Sequence, residues 1–167
     1  MTLFTIGHSN HPPARFLELL ARAEVTAVAD VRSQPMSRWA PQYNKDALMS
    51  TLEACGIAYF YMGRELGGRP KEAALRTGAK PDYGKMAKAP AFRDAIARLK
   101  EECAKGKVAL MCAEQDPANC HRFLLIAREL AAQGVQIAHI LPSGEIETQA
   151  ETEQRLRGVT AQADLFG

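Results

Sequence analysis

The chain has 167 residues, of which 47% are hydrophobic and 24% charged, as expected for one globular domain with a buried core. The formal net charge of +2 indicates no partner by itself. No apolar run reaches about 18 residues and no secretory signal begins the chain, so we expect a cytoplasmic protein without a membrane span. In that compartment its four cysteines are predicted to be free thiols or ligands rather than disulfides.

Short apolar runs alternate with helical patterns, which is typical of βαβ units. The predicted strands are residues 3–7, 26–32, 57–62, 107–114 and 135–141. The predicted helices are residues 12–24, 45–56, 90–106, 117–133 and about 147–157, with a long irregular segment after residue 62. The order predicts one three-layer α/β domain, residues 1–158, with a mostly parallel five-stranded sheet, helices on both faces and a tail at 159–167.

Polar residues recur where predicted strands end and where the helix after the fourth strand begins. They are His8, Asp30, Arg32, Cys112, Glu114, Cys120, His121 and Arg122. Ligands of parallel sheets bind beyond the carboxyl ends of the strands, so we expect these residues to form one pocket.

The helix-start residues Pro117 and Asn119 predict that Cys120 lies in the first turn of the following helix. Exposed amides there would activate the thiol and attract anions, and Arg122 adds a bidentate donor for phosphate or carboxylate. The alternative is that Cys120 is a small buried hydrophobic residue.

These residue types suit an enzyme as well as a recognition pocket. In the enzyme, Asp30 or Glu114 would be the general acid or base, and Cys120 or His121 the nucleophile or proton donor. The candidate catalytic residues are Asp30, Cys112, Glu114, Cys120 and His121. The alternative is a non-catalytic module that binds a nucleotide or phosphate.

A metal site is the less favoured interpretation. Cys112, Cys120 and His121, joined by Asp30 or His8, could supply four ligands. Their spacing is not the paired C-x-x-C of structural zinc sites, so no metal and no other cofactor is predicted.

Several motifs together resemble the DUF488 family. They are TIGHSN at 5–10, DVRSQPMSRWAPQYN at 30–44, GI-Y at 56–59, ELGGRP at 65–70 and LMCAE…CHR at 110–122. The resemblance extends to about residue 145 and implies no activity, because the family's name records an unknown role. It implies a shared site that includes Arg38 in addition to the eight strand-end residues.

Two segments concentrate positive charge. Residues 32–45 carry three basic residues and no acid, interleaved with Trp39 and Tyr43, and residues 63–90 carry seven basic and three acidic residues, a local charge of +4. Basic segments with aromatic side chains suit nucleic acid, and a solvated loop beside a small-molecule pocket is the alternative. Gly67 and Gly68 would let the backbone approach a ligand closely.

We therefore expect a nucleic-acid-associated enzyme or DNA repair factor, or a protein that binds a phosphorylated small molecule. The predicted substrate or anion-binding residues are His8, Arg32, Arg38, Trp39, Tyr43, Gly67, Gly68 and Arg122. The sequence indicates no oligomeric state.

The tail sequence QADLF, residues 162–166, resembles the peptide with which bacterial proteins bind the DNA sliding clamp. In such a peptide, Leu165 and Phe166 would enter an apolar pocket while Gln162 forms a hydrogen bond beside it. The alternative is that the Leu-Phe pair folds back to cover an apolar patch of the domain.

Overall fold

The apolar runs of the sequence form the strands of a central sheet. The computed structural model describes the backbone of residues 1–166 and the side chains of residues 1–158. The strands are β1 Thr2–Gly7, β2 Ala27–Asp30, β3 Ala58–Tyr61, β4 Arg76–Thr77, β5 Lys80–Pro81, β6 Val108–Cys112, β7 Gln136–Ile140 and β8 Ile146–Thr148. Six of them form one sheet in the order β3-β2-β6-β1-β7-β8, parallel except for β8, and β4 and β5 form a separate hairpin.

Helices cover both faces of the sheet. They are α1 Pro13–Arg22, α2 Lys45–Ala54, α3 Gly63–Leu66, α4 Tyr83–Lys88, α5 Pro90–Lys105, α6 Arg128–Ala132 and α7 Gln149–Phe166. The positive φ angles of Gly56 (71°) and Gly134 (81°), which follow α2 and α6, are accessible to glycine without strain and end those helices. The predicted α/β class and the helices on both faces are confirmed.

Successive strand residues lie on opposite faces of the sheet and pack in two separate hydrophobic cores. Phe16, Leu19 and Leu20 of α1 are buried at helical spacing and pack in one core with Ile6 and Val28 of the sheet. On the opposite face, buried residues of α5 and α6 form the second core with the other strand residues. Those helix residues are Phe92, Ala95, Ile96, Leu99 and Leu130.

The sheet has one strand more than the five that the sequence predicts. β8 pairs antiparallel with β7, with Ile146 opposite Ile140, after a turn in which Gly144 has φ 91°. Three residues with one apolar side chain at the start are too short to show strand alternation, so the pattern did not indicate this edge strand.

Two further segments differ from the prediction. The segment after residue 62 is not irregular, because it contains α3, a 3₁₀ turn at Ala73–Leu75, the β4–β5 hairpin and α4. The helix predicted at residues 117–133 is interrupted: a 3₁₀ turn at Pro117–Asn119 precedes a π-helical stretch, Arg122–Ala127, and then α6.

Cys120 therefore does not lie in the first turn of a helix. Its backbone is extended (φ −128°, ψ 144°), and its carbonyl oxygen accepts the hydrogen bonds of Phe123 and Leu124 N–H as the helical hydrogen bonding begins. The Asp116 carboxylate accepts a hydrogen bond from Ala118 N–H, which caps the short 3₁₀ turn instead of a continuous helix. Among the described residues, no helix is long and apolar enough to cross a membrane.

Candidate functional site

The parallel pairing of β1, β6 and β2 places three strand ends side by side. Gly7 is in register with Cys112, and Asp30 with Met111. The pairing continues one residue further, because His8 N–H donates to the Cys112 carbonyl oxygen and Val31 N–H to that of Met111, at 2.9 and 3.1 Å. Side chains that follow these strands consequently share one edge of the sheet.

Two cysteine thiols converge on one carboxylate at this edge. The Sγ atoms of Cys112 and Cys120 donate hydrogen bonds to the same oxygen, Glu114 Oε2, at 2.8 and 3.2 Å. His121 Nδ1 lies 3.9 Å from Cys112 Sγ and 3.7 Å from Cys120 Sγ. The two Sγ atoms and this nitrogen all lie within 4.8 Å of one another, and the three residues are buried. We call Cys112, Glu114, Cys120 and His121 the Cys–His cluster.

The orientation of the imidazole is fixed from two sides. His121 Nε2 lies 3.0 Å from the carbonyl oxygen of Val31, which can only accept, so Nε2 carries the proton. In the neutral ring Nδ1 then has a free lone pair directed at the thiols. Gly68 packs against the ring, and a β-carbon there would lie 2.7 Å from His121 Cγ. A glycine is therefore required beside the cluster.

Burial and mutual contact shift the ionisation of the cluster. The adjacent Cys120 thiol, together with burial, raises the pKa of the Cys112 thiol well above its ordinary value. Burial acts to raise the pKa of Glu114, but hydrogen bonds from Cys112 and Cys120 outweigh it and the pKa lies below the ordinary value. Burial acts to lower the pKa of His121, yet contacts with Cys112, the Val31 carbonyl and Glu114 leave it raised. The carboxylate is ionised and the thiol of Cys112 is protonated near neutral pH.

Asp30 and Arg32 form a buried ion pair beside the cluster. Arg32 donates to both carboxylate oxygens of Asp30, at 2.9 and 2.7 Å, while Tyr59 OH donates to Oδ2 at 2.8 Å. The guanidinium also donates to the carbonyl oxygen of Tyr43, and its Nη1 lies 3.2 Å from His8 Nε2. Because His8 Nδ1 donates to the Ser9 carbonyl oxygen, His8 Nε2 accepts this hydrogen bond. The predicted anion-binding groups of Arg32 and His8 thus contact protein partners.

Arg122 is also surrounded by protein groups. Its side chain is fully buried, and it donates to the carbonyl oxygens of Glu114 and Gln115 at 2.6 and 3.1 Å. Gly7 allows this loop to pass, because a β-carbon there would collide with the Glu114 carbonyl group. Arg122 N–H also approaches Cys120 Sγ at 3.5 Å. The contacts of Arg122 hold the backbone between the two cysteines.

A cavity of about 250 Å³ opens directly onto the cluster. It is lined by Cys112, Glu114, Cys120 and His121 together with Arg32, Ser33, Gln34, Met36, Gly68, Arg69, Tyr83, Ala113 and Asn119. A second cavity of about 480 Å³, between α3 and α5, shares Ser33 and Arg69 with the first. The cluster is therefore accessible from solvent although three of its four residues are buried.

The other predicted ligand-binding residues lie elsewhere. Tyr43 is buried and stacks on His8 at 4.4 Å, and burial raises its pKa to about 12. Trp39 is 87% exposed, with the Arg38 guanidinium 5.9 Å from its ring centroid, and neither lines the cavity at the cluster. A β-carbon on Gly67 would lie 2.4 Å from Ser33 Oγ, so this glycine, like Gly68, permits close approach to a protein group.

A model of the family described as domain of unknown function DUF488 matches residues 12–128. The chain belongs to the DUF488 family. The DUF488 match includes Asp30, Arg32 and the whole Cys–His cluster, and it begins after His8. Comparisons with curated proteins and with solved structures found no match.

Sequence reasoning did not select three features of the site. Tyr83 and the Val31 carbonyl belong to no chemical motif. Arg69 lies in the ELGGRP motif and in the basic segment, and these two features could have identified it as a site residue.

The side chains of Gln162, Leu165 and Phe166 lie outside the described residues, so clamp binding stays a prediction.

Proposed function

We propose that this DUF488 protein binds a transition-metal ion through Cys112 Sγ, Cys120 Sγ and His121 Nδ1. The observation that carries the proposal is the convergence of these three buried ligand atoms within 4.8 Å. Zinc–ligand bonds are about 2.3 Å to sulfur and about 2.1 Å to nitrogen, so a tetrahedral ion separates sulfur from nitrogen by about 3.6 Å. The observed sulfur–nitrogen distances of 3.9 and 3.7 Å are close to that value.

The surroundings of the ligands support the same proposal. Metal-binding histidines commonly donate their second ring N–H to a carbonyl or carboxylate group, as His121 does to Val31. Thiolate and imidazole donors together suit Zn²⁺ and other soft or borderline ions rather than Mg²⁺ or Ca²⁺. Glu114 Oε2, which already contacts both sulfurs, is placed to be the fourth ligand.

A cysteine nucleophile is the competing chemistry at this site. A nucleophilic Cys112 would require a thiol that ionises readily, whereas contact with Cys120 and burial raise the pKa of this thiol. A bound metal ion does not require a thiol that ionises by itself, because the cation displaces the thiol protons. Ligands from a strand end and the following loop need no C-x-x-C motif, so the spacing of Cys112 and Cys120 is compatible with the proposed site.

Metal analysis of protein purified without chelators tests the proposal. We expect close to one equivalent of metal in the unmodified chain, and losses of roughly tenfold in metal affinity or more for Cys112→Ser, Cys120→Ser and His121→Ala. Cys103→Ser is the matched control, because Cys103 lies on α5 and lines a different cavity. Less than about a tenth of an equivalent, before and after reconstitution with Zn²⁺, would end the proposal.

A nucleic-acid-associated enzyme, including a DNA repair factor, is the second candidate. The exposure of Trp39 favours it, because an 87% exposed indole beside Arg38 is a platform on which a base can stack. Gln34 and Met36 of the same segment line the cavity at the cluster.

Trp39 itself reports on this candidate, because it is the only tryptophan of the chain. We expect single-stranded DNA to quench its fluorescence, with a salt slope of roughly −0.7 per phosphate contact. Arg38→Gln should weaken the binding and reduce the slope, while Arg98→Gln, on α5, serves as the charge control. Unchanged fluorescence at low salt would reject the nucleic-acid role and leave the metal proposal intact.

A further inference from the structure

Glu114 differs from the other three residues of the Cys–His cluster in its exposure. Cys112, Cys120 and His121 are 4%, 2% and 8% exposed. Glu114 is exposed as a whole residue and lines the cavity, although its Oε2 lies against the two thiols. Structural zinc sites are closed by four firmly held ligands, and catalytic sites keep one position for water or substrate. The one exposed carboxylate is therefore the ligand that can leave.

Arg69 provides a positive charge on the wall of the same cavity. Its backbone is held in place, because Arg69 N–H donates to Ser33 Oγ at 2.9 Å and the preceding Gly68 packs on the His121 ring. None of the described residues accepts a hydrogen bond from its guanidinium group. This contrasts with Arg32 and Arg122, whose guanidinium groups contact protein acceptors.

Three further donors on the cavity wall have no side-chain partner among the described residues. They are the hydroxyl group of Tyr83 and the carboxamide groups of Gln34 and Asn119. With Arg69 they surround the cluster with hydrogen-bond donors. A phosphoryl group, which has three terminal oxygens, can use more of these donors than a carboxylate can.

We propose that the cavity at the cluster binds a phosphate monoester, whose oxygen replaces Glu114 at the fourth coordination position of the metal while Arg69 pairs with its charge. The proposal rests on the proposed metal site. Two thiolates balance the charge of a divalent cation, and a phosphate monoester dianion carries one more negative charge than the carboxylate that it replaces. Arg69 supplies the positive charge that offsets it. The cavity of about 250 Å³ has room for a phosphoryl group and part of its ester.

The experiment uses the full chain loaded with Co²⁺, freed of excess metal by gel filtration and titrated with inorganic phosphate. Exchange of Glu114 for phosphate should change the visible ligand-field bands of the cobalt. Acetate at matched ionic strength is the comparison for a carboxylate ligand, and we expect its apparent affinity to be roughly tenfold weaker.

Two variants and one control distinguish the role of Arg69 in phosphate binding from that of Glu114. Arg69→Gln should weaken phosphate binding roughly tenfold, because one charge contact is lost, while Arg64→Gln, which lines only the second cavity, should not. Glu114→Ala should keep the cobalt on its other three ligands and bind phosphate more tightly, because the competing carboxylate is gone. The metal content of each variant is measured alongside.

Distinct results overturn the two proposals. If cobalt binds but phosphate leaves the bands unchanged, or Arg69→Gln and Glu114→Ala bind phosphate like the unmodified chain, the phosphate site is wrong and the metal site stands. If acetate binds as tightly as phosphate, the ligand class is wrong. If cobalt does not bind to Cys112, Cys120 and His121, both proposals fail.

Discussion

Gly68 lies against the imidazole ring of His121 so closely that a methyl group on residue 68 would be 2.7 Å from Cγ of the ring. This contact joins the segment after α3 to the Cys–His cluster. Together with the Val31 carbonyl group, which accepts a hydrogen bond from Nε2, this backbone contact sets the direction of His121 Nδ1.

Gly68→Ala should therefore disturb the cluster without removing any ligand. The added methyl group must displace the ring or the backbone, so we expect metal affinity to fall roughly tenfold or more, as for other changes that misalign a ligand. Isothermal titration with Zn²⁺ measures this. Gly84→Ala is the control, since its β-carbon would meet only Asp82 Oδ1 at 3.4 Å. Equal affinities of both variants would contradict the positioning role.

Asp30→Asn should destabilise the fold. Asp30 is fully buried and Arg32 is 5% exposed, so loss of the carboxylate charge leaves an uncompensated guanidinium inside the protein. Breaking such a pair from one side typically costs about 3–5 kcal/mol of unfolding free energy. Urea denaturation measures it, with Glu18→Gln as the surface control, because the exposed pair of Glu18 with Arg15 should have no measurable effect. A loss no larger than that of the control would refute the prediction.

His139 should make the protein less stable at acidic pH. It is fully buried between Thr5 Oγ1 and Gln149 Oε1, at 2.8 and 3.1 Å, and burial lowers its pKa to about 4. Below pH 6.5 residue 139 binds a proton in the unfolded chain but not in the folded protein. The contribution of His139 to the free energy of unfolding is therefore complete above pH 6.5. It decreases as the pH falls toward 4, by about 3 kcal/mol at most.

The variant His139→Gln isolates this contribution in unfolding measurements between pH 7 and 4. The pKa of His8 is lowered to about 4 mainly by burial as well, so the variant should keep part of the acid sensitivity and lose the part due to residue 139. Parallel pH profiles of variant and unmodified chain would contradict the assignment.

The tail peptide gives a prediction that is independent of the cluster. Purified sliding clamp should bind the intact chain, and Leu165→Ala/Phe166→Ala should abolish binding, because burial of those side chains contributes about 1.5–3 kcal/mol each before ordering costs. Surface plasmon resonance measures both. Equal binding by the two chains, or none by either at about 100 μM, would retire the hypothesis.

Strand periodicity was sufficient to predict the α/β fold and the edge of the sheet at which the polar residues meet. Cys112 and Leu110 follow the alternation of β6 and pack in the same core, and Asp30 is the last residue of β2, two residues before the predicted strand end. The register of parallel strands makes such placements predictable, because residues at strand ends become neighbours whatever the loops do.

Contacts between distant segments were not predictable in this way. Arg32 and Arg122 look like anion-binding residues in the sequence, but one pairs with Asp30 and the other binds backbone carbonyl groups. The turn that interrupts the helix before Cys120 depends on a cap by Asp116, and Gly68 contacts a ring 53 positions later in the chain. Such pairings depend on tertiary packing, which composition and spacing do not specify.

X-ray absorption spectroscopy at the metal edge, on protein loaded with one equivalent of Zn²⁺, tests the metal centre most directly. We expect two sulfur ligands at about 2.3 Å and nitrogen or oxygen ligands at about 2.0–2.2 Å. The sulfur count should fall from two to one in Cys112→Ser and in Cys120→Ser, and stay at two in Cys103→Ser. A coordination shell of nitrogen and oxygen alone in the unmodified chain would contradict the proposed metal site.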